Sequence, residues 1–243
     1  FLYCPEVPQG ALRQTHVGHL ARLIKYIEPR ENAAYAFALG NLSRDDVQHD
    51  PGHGGLAILF ALRVPGVVDH AGRDMPPYAH AVIAVDRATG RVVIASATCV
   101  NGDDDFLKGV QAVVVPGKGV AACQAAVDNT HQNQMLVFQE LQKGTDPKAI
   151  IEMLSEDPAF QTRQFGIVDL QGRAAGHSGL GNGYVSQDIH GQVPGTEIFY
   201  SIQGNILRPG QVAPNAVAAF VKAGGAITDR VMAAMEAADG SGG

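Results

Sequence analysis

Five side chains able to do chemistry end three short apolar runs in the last third of the chain. Asp169 closes Arg163-Gln164-Phe165-Gly166-Ile167-Val168-Asp169, His177 and Ser178 fall in Ala174-Ala175-Gly176-His177-Ser178-Gly179, and Gln203 and Asn205 close Phe199-Tyr200-Ser201-Ile202-Gln203-Gly204-Asn205. An acid, an imidazole and a hydroxyl are the parts of an acyl-transfer triad, in which the imidazole takes the hydroxyl proton. The spacing opposes such a triad here. His177 and Ser178 are consecutive, so a strand points them to opposite faces. Gly176-His177-Ser178-Gly179-Leu180 also lacks the final glycine of a nucleophile elbow. Gln203 and Asn205 are the better candidates, because an amide offers both the donor and the acceptor that a peptide-like substrate or an oxyanion requires. Amides also knit strand ends together, and that plainer role stays open beside the first. Asp169 and Arg173 bracket a tight turn, where an acid commonly accepts hydrogen bonds from the backbone.

The elements that must position these groups are legible. Residues 163–169 and 174–179 flank Leu170-Gln171-Gly172-Arg173 and predict a β-hairpin. Residues 79–85 and 91–100 flank Asp86-Arg87-Ala88-Thr89-Gly90 and predict another. Residues 110–115 and 120–126 read as buried strands on either side of Pro116-Gly117-Lys118-Gly119. Thr130 is placed to cap a helix with Val137, Phe138 and Leu141 on one face, ended by Gly144. Asp146-Pro147 starts the next by the acid-cap, first-position-proline rule. Gly179-Leu180-Gly181-Asn182-Gly183 reads as a flexible loop, since no helix pattern follows it. Val217, Phe220 and Val221, then Ile227, Val231 and Met235, give two more helical faces.

Gly-Ile-Val-Asp-x-x-Gly-Arg-x-Ala-x-His-Ser-Gly followed by Tyr-Ser-Ile-Gln-Gly-Asn-Ile-Leu resembles the family called domain of unknown function 1028, over about residues 79–243. The resemblance implies the fold of an N-terminal-nucleophile hydrolase: an α/β four-layer αββα sandwich of two antiparallel sheets. Residues 1–76 would then be an N-terminal extension packed on the sheet, and 77–243 the hydrolase-like domain. It also makes Gln124 and Asn129, which match polar positions of the pattern, binding candidates beside Arg173 and His80. An enzyme of that type needs Thr, Ser or Cys at the head of the first hairpin, with a freed α-amine as its base. Here the position reads His80-Ala81-Val82. Ala81 carries no nucleophilic atom, and an internal peptide nitrogen is not a base. Ser96, Thr98 and Cys99 on the next strand are substitutes only if they are not bonded to neighbouring backbone. In the resembling family a further strand follows the last helix; here either that strand is missing, or a second copy or another chain completes the sheet, and the unpaired edge favours such association.

Composition limits the remaining classes. A content of 46% hydrophobic and 17% charged residues describes a globular chain, and a formal charge of −6 speaks against nucleic acid and against an anionic membrane. The longest apolar run, residues 56–62, is too short to span a bilayer. Cys4, Cys99 and Cys123 show neither metal spacing nor a disulfide framework. His16, His19, His49, His53, His70 and His80 crowd the first third, and Asn101-Gly102-Asp103-Asp104-Asp105 forms an acidic loop. Neither has the ligand pattern of a known metal motif, so no cofactor is expected. The first third otherwise predicts a helix after Thr15, an apolar segment at 33–39, a turn at 41–46 and a buried strand at 54–64. The chain opens on Phe1, as an exported precursor relieved of its leader would, and so would a trimmed chain; the compartment stays open. Three functions follow: a non-catalytic or diverged relative serving binding or assembly, with a small amide-type ligand; a hydrolase of amide-type bonds with a processed or non-standard nucleophile; and a histidine-liganded metal protein.

Overall fold

The computed structural model describes residues 57–63, 79–98, 112–126, 128–183, 185–207 and 209–241, the first of these segments by its backbone alone. The expected helix after Thr15, the segments at 33–39 and 41–46, the acidic loop at 101–105, Cys4, Cys99 and the histidines before His80 lie outside the described residues.

Among the described residues nine strands form two sheets. They are β1 (Ala57–Arg63), β2 (Ala79–Asp86), β3 (Arg91–Thr98), β4 (Ala112–Val115), β5 (Gly119–Ala125), β6 (Arg163–Asp169), β7 (Ala174–Ser178), β8 (Gln187–Gln192) and β9 (Ile198–Asn205). The larger sheet runs β1-β3-β2-β9-β8 and the smaller β4-β5-β6-β7. Four α-helices among the described residues cover them: α1 (Gln132–Lys143), α2 (Pro147–Leu154), α3 (Val212–Lys222) and α4 (Ile227–Gly240). Strict alternation along the strands from β2 onward sorts their side chains between two faces, and three cores result among the described residues. Val82, Ala84, Tyr200 and Ile202 lie under α3 and α4 with Phe220 and Val231. Ala81, Ile83, Val85 and Ile94 meet Val114, Val120 and Val168 between the sheets. Phe165 and Ile167 pack against Val137, Leu141, Ile150 and Leu154 of α1 and α2. Each buried Val, Leu, Ile or Phe side chain among them contributes about 1.5–3 kcal/mol, which fixes the order helices, sheet, sheet, helices. The four-layer α/β sandwich expected from the sequence is what the chain forms.

Local chemistry explains most boundaries. Asp86 accepts from the Ala88 amide (3.0 Å) and the Thr89 hydroxyl (2.7 Å), closing the β2–β3 turn. Asp146 caps α2 by accepting from the Lys148 amide at 2.9 Å, with Pro147 in the first turn. Gly144 ends α1 at φ 80. The α1 cap departs from expectation. Helix α1 begins at Gln132 after His131 in a left-handed conformation, and the capping carboxylate is Asp128, which accepts from the Asn133 amide at 2.9 Å. A carboxylate caps more strongly than the Thr130 hydroxyl, which itself bonds to Asp128 at 2.6 Å.

Two further differences concern strands. β1 lies parallel to β3, Ala57 opposite Val92, so the larger sheet is mixed rather than wholly antiparallel. No hairpin joins these two strands, and direction is then not imposed by a turn. β8 occupies a stretch that reads as glycine-rich loop, because Gln187-Asp188-Ile189-His190-Gly191-Gln192 carries one apolar residue. Backbone pairing to β9 holds it at the sheet edge, where polar side chains are tolerated. None of the helices among the described residues is long and apolar enough to cross a membrane.

Candidate functional site

The layer between the sheets changes character along its length. Toward the β2–β3 turn it is apolar; toward the start of β2 and the end of β9 it is built of amides and hydroxyls. At the centre of the polar end sits Gln164, fully buried on β6. Its amide nitrogen lies 2.8 Å from Ser178 Oγ, 2.9 Å from the Gly204 carbonyl, 3.1 Å from the Gln187 carbonyl and 3.2 Å from Ser186 Oγ. Four oxygens thus crowd a nitrogen with two hydrogens. Its carbonyl oxygen accepts from Asn205 Nδ2 at 3.1 Å and from Gln124 Nε2. Ser178 and Ser186 share a further hydroxyl–hydroxyl bond. The network therefore joins β5, β6, β7, β8 and β9 across both sheets, and it gathers three predicted residues: Gln124, Ser178 and Asn205. Gln164 and Ser186 are not among the predicted site residues. Period-2 alternation would have placed Gln164 on the face of Gly166 and Val168, a polar residue on an inward face.

Gln203 enters the same layer two residues before Asn205. It is 1% exposed; its Nε2 donates across the sheets to the Ala122 carbonyl at 3.1 Å, while Oε1 has no partner among the described residues. Ser201 Oγ, fully buried on the same face, also has no partner among the described residues. Both oxygens lean on Gly166: a β-carbon there would stand 2.6 Å from Ser201 Oγ and closer still to Gln203 Oε1. Gly176, paired with Gly166 in the β6–β7 ladder, bears the Asp188 carboxylate in the same way. Two side-by-side glycines therefore form a floor against which the polar side chains of the other sheet rest.

Backbone strain sits beside this network. Ala125, directly after Gln124, has φ 71, and Ile206, directly after Asn205, has φ 54. Left-handed φ is unfavourable by roughly 1–2 kcal/mol for a residue with a β-carbon and rarer still for a β-branched one. Such conformations concentrate at ligand clamps and active sites.

The other predicted residues lie apart. Asp169, 3% exposed, accepts from the Gln171 and Arg173 amides and pairs with the Arg173 guanidinium at 2.6 Å. Arg173 continues to the Gly144 carbonyl at 3.0 Å, so this pair stitches the β6–β7 turn to the end of α1. His177 points away from Ser178 as strand geometry requires: it stacks on Phe160 at 3.6 Å and its Nε2 lies 3.1 Å from the Phe160 carbonyl. Asn129 is exposed before α1. His80 alternates with Ala81 and so faces the helices; burial lowers its pKa to about 4, keeping the ring neutral. Ala81 is flanked in register by Ser96 on β3 and Gln203 on β9, all three turned between the sheets. Cys123 is buried under α1, and desolvation together with the Asp128 charge pushes its thiol up to about 12, far from a nucleophile.

A second polar cluster braces the network from outside. Arg163, next to Gln164, donates through Nε to Asp157 at 2.9 Å and through Nη1 to the Ala126 carbonyl, and Asn133 donates to the same Asp157 oxygen at 2.7 Å. Burial alone would raise the Asp157 pKa, but bonds from Asn133, Ala159 and Arg163 outweigh it and hold the carboxyl below its usual value. The Gly179–Gly183 stretch, expected to be flexible, is tied to this cluster. Gly179 donates to Arg163 (3.0 Å), Gly181 to Gln161 (2.7 Å), and the Asn182 side chain to Arg163 (2.6 Å). A shallow depression lined by Ala88, Gln192, Pro194, Gly195, Thr196 and Glu197 lies at the opposite end of β2 and β9, away from these groups. Among the described residues no three His, Cys, Asp or Glu side chains are grouped to hold a metal.

Comparison with known proteins agrees with this architecture. The model of a family described as "Family of unknown function (DUF1028)" matches residues 79–243. The crystal structure of protein SPO2555 from Silicibacter pomeroyi, assigned to the same family, is similar with a TM-score of 0.59 and 26% identity, over 68% of this chain and 69% of that one. No curated protein matches the chain.

Proposed function

Because the chain belongs to DUF1028, a family of unknown function, we propose its role from its own site: a diverged, non-catalytic scaffold of the N-terminal-nucleophile hydrolase type that binds a small amide-type ligand at the polar end of the inter-sheet layer. One observation carries this reading. At the head of the first hairpin a methyl group, Ala81, stands between Ser96 and Gln203, while the Gln203 carbonyl oxygen is buried and has no partner among the described residues. A site with an unpaired amide acceptor and no reactive atom at its centre is suited to holding an amide, not to cleaving one. The left-handed Ala125 and Ile206 support it, since strain next to both ends of a network is characteristic of a preorganised clamp. The division into a 1–76 extension and a 77–243 domain belongs to the same proposal, as does association through sheet edges.

A second reading, hydrolysis of amide bonds, is favoured by Ser96, whose buried hydroxyl-bearing side chain is the direct cross-strand neighbour of Ala81. Acetamide titrated into the full chain, followed by calorimetry, should give saturable binding that Gln203→Leu weakens. Aryl amides incubated with the protein should remain intact. Turnover abolished by Ser96→Ala would replace the binding role with the hydrolytic one.

A further inference from the structure

We propose that the outer face of α3 and α4 is the surface through which two copies of this chain associate, each α3 lying antiparallel to its counterpart about a two-fold axis near Ala218. This contact is separate from the sheet edges and from the polar end of the inter-sheet layer, and it forms whether or not a ligand binds there.

The two helices run in opposite directions. Asn215 Nδ2, near the start of α3, donates to Ser241 Oγ just past the end of α4 at 2.9 Å. Arg230 Nη1, early in α4, reaches the Phe220 and Val221 carbonyls at the end of α3, both at 3.1 Å. Val212, Ala213, Ala216 and Phe220 turn α3 toward the sheet. Helical spacing then sets Pro214, Ala218 and Val221 on the opposite side, with Ala218 exposed at the centre. On α4 the same spacing places the half-buried Ala233 and Ala237 in one row with Arg230 and Ser241, the row next to α3. The middle of this face is therefore small and uncharged, since the one ionisable residue of α3 is Lys222 in its last turn. Side chains of that size let a facing helix come within about 8–10 Å, axis to axis.

The charges at the two ends of the face name its occupant. Lys222 is exposed at one end; Glu236 and Asp239 are exposed at the other, toward the end of α4, whose last turn holds no basic residue. None of the three takes part in an ion pair among the described residues. The α4 dipole adds partial negative charge at the same end. A two-fold contact must be complementary to itself, and opposite charges at opposite ends of a neutral face meet that condition. With α3 antiparallel to its counterpart, Lys222 of each copy approaches the acidic end of α4 in the other, and the pairing occurs twice. A parallel alignment would set Lys222 against Lys222. Charges kept to the rim around an uncharged centre are also the composition of specific interfaces. Helices of 11 and 14 residues span only about 16 and 21 Å, so the face is small and dissociation in the micromolar range is expected.

The test follows the full chain by sedimentation velocity and light scattering over a dilution series across the micromolar range. A monomer–dimer equilibrium that weakens with added salt is expected, because the end contacts are exposed. Ala218→Arg puts bulk and charge at the centre and should weaken dimerisation by about thirtyfold or more, with the circular dichroism of the monomer unchanged, since arginine suits an exposed helix position. Lys222→Glu and Asp239→Lys should each weaken it by about tenfold, and the chain carrying both should return to within about threefold of the original. Asp239→Lys lessens the net negative charge, so a loss from it cannot come from general repulsion between copies. The charge exchange touches exposed positions alone and decides the matter even if Ala218→Arg fails to fold. A chain that stays monomeric throughout the series overturns the interface. So does a dimer left intact by Lys222→Glu or by a folded Ala218→Arg, which moves association to the sheet edges. A doubly exchanged chain that dimerises more weakly than either single variant overturns the antiparallel arrangement.

Discussion

The two halves of the inter-sheet layer are made by the same strands and obey opposite rules. In one half Ile83, Val85, Ile94, Val120 and Val168 interdigitate, and the energy is spread over many weak contacts. In the other, Gln164 alone holds together five strands through directional bonds. An apolar contact that is lost leaves a small void; an amide that is lost strands every partner it had. Stability is therefore distributed at one end and concentrated at the other. Concentration of that kind also excludes alternative registers, since no other position of β6 offers Gln164 to Gln124 and Asn205 together.

The sharpest way to break the contrast is Gln164→Leu, similar in size and unable to bond. It removes one bond each from the Gln124 and Asn205 amides and from the Gly204 and Gln187 carbonyls, and should reduce unfolding free energy by on the order of 4 kcal/mol in urea titration. If the loss resembles that of an ordinary core truncation, the network is not the keystone described.

His80, on the far face of the strand that heads the polar half, gives a pH signature. Its pKa falls from 6.5 when solvated to about 4 in the fold, so between those values the unfolded chain binds a proton that the native state refuses. Stability should be full above about pH 6.5 and decline as pH falls toward 4, by about 3 kcal/mol from this residue. A His80→Gln chain, compared by urea unfolding at pH 7 and pH 4.5, should lose most of that dependence. Carboxylates held low, such as Asp157, add a separate loss at more acidic pH in both chains.

Gly166→Ala tests the floor of the polar half. The new β-carbon would force Ser201 and Gln203 aside at a cost of about 2 kcal/mol. Gly224→Ala, with open space around it, should change stability by less than about 0.5 kcal/mol. Two mild replacements fall between those two glycine changes. Ile94→Val in the apolar half should cost about 1 kcal/mol, whereas Ile206→Asn, which suits a left-handed backbone better, should gain up to about 1 kcal/mol while loosening the clamp and weakening acetamide. Calorimetric Tm and a binding isotherm on each variant suffice.

Much of this layout can be read from residue order because it depends on local rules. Turn acids Asp86 and Asp169, the Asp146-Pro147 start and the Gly144 stop act over a few residues, and period-2 alternation alone separates His177 from Ser178. What escapes such reading is non-local. Gln164 looks like one polar residue in an apolar strand until β5 and β9 arrive on either side of it. β8 lacks an apolar stripe because neighbouring backbone, not its own side chains, specifies it. Asp188 becomes notable only through Gly176 on the other sheet, and Gln203 only through the absence of a donor for its oxygen. His80, equally polar in sequence, faces helices because alternation from Ala81 leaves it nowhere else.

The parallel partnership of β1 with β3 bears on how the chain acquires its shape during synthesis. Ala57 emerges well before Val92, and the docking edge exists only once the β2–β3 hairpin has closed. The earliest described strand must therefore wait, unpaired, for a later one to be translated and folded. Such a delay is characteristic of sheets built from distant segments and lengthens the interval in which a nascent chain is open to chaperones and to misassembly.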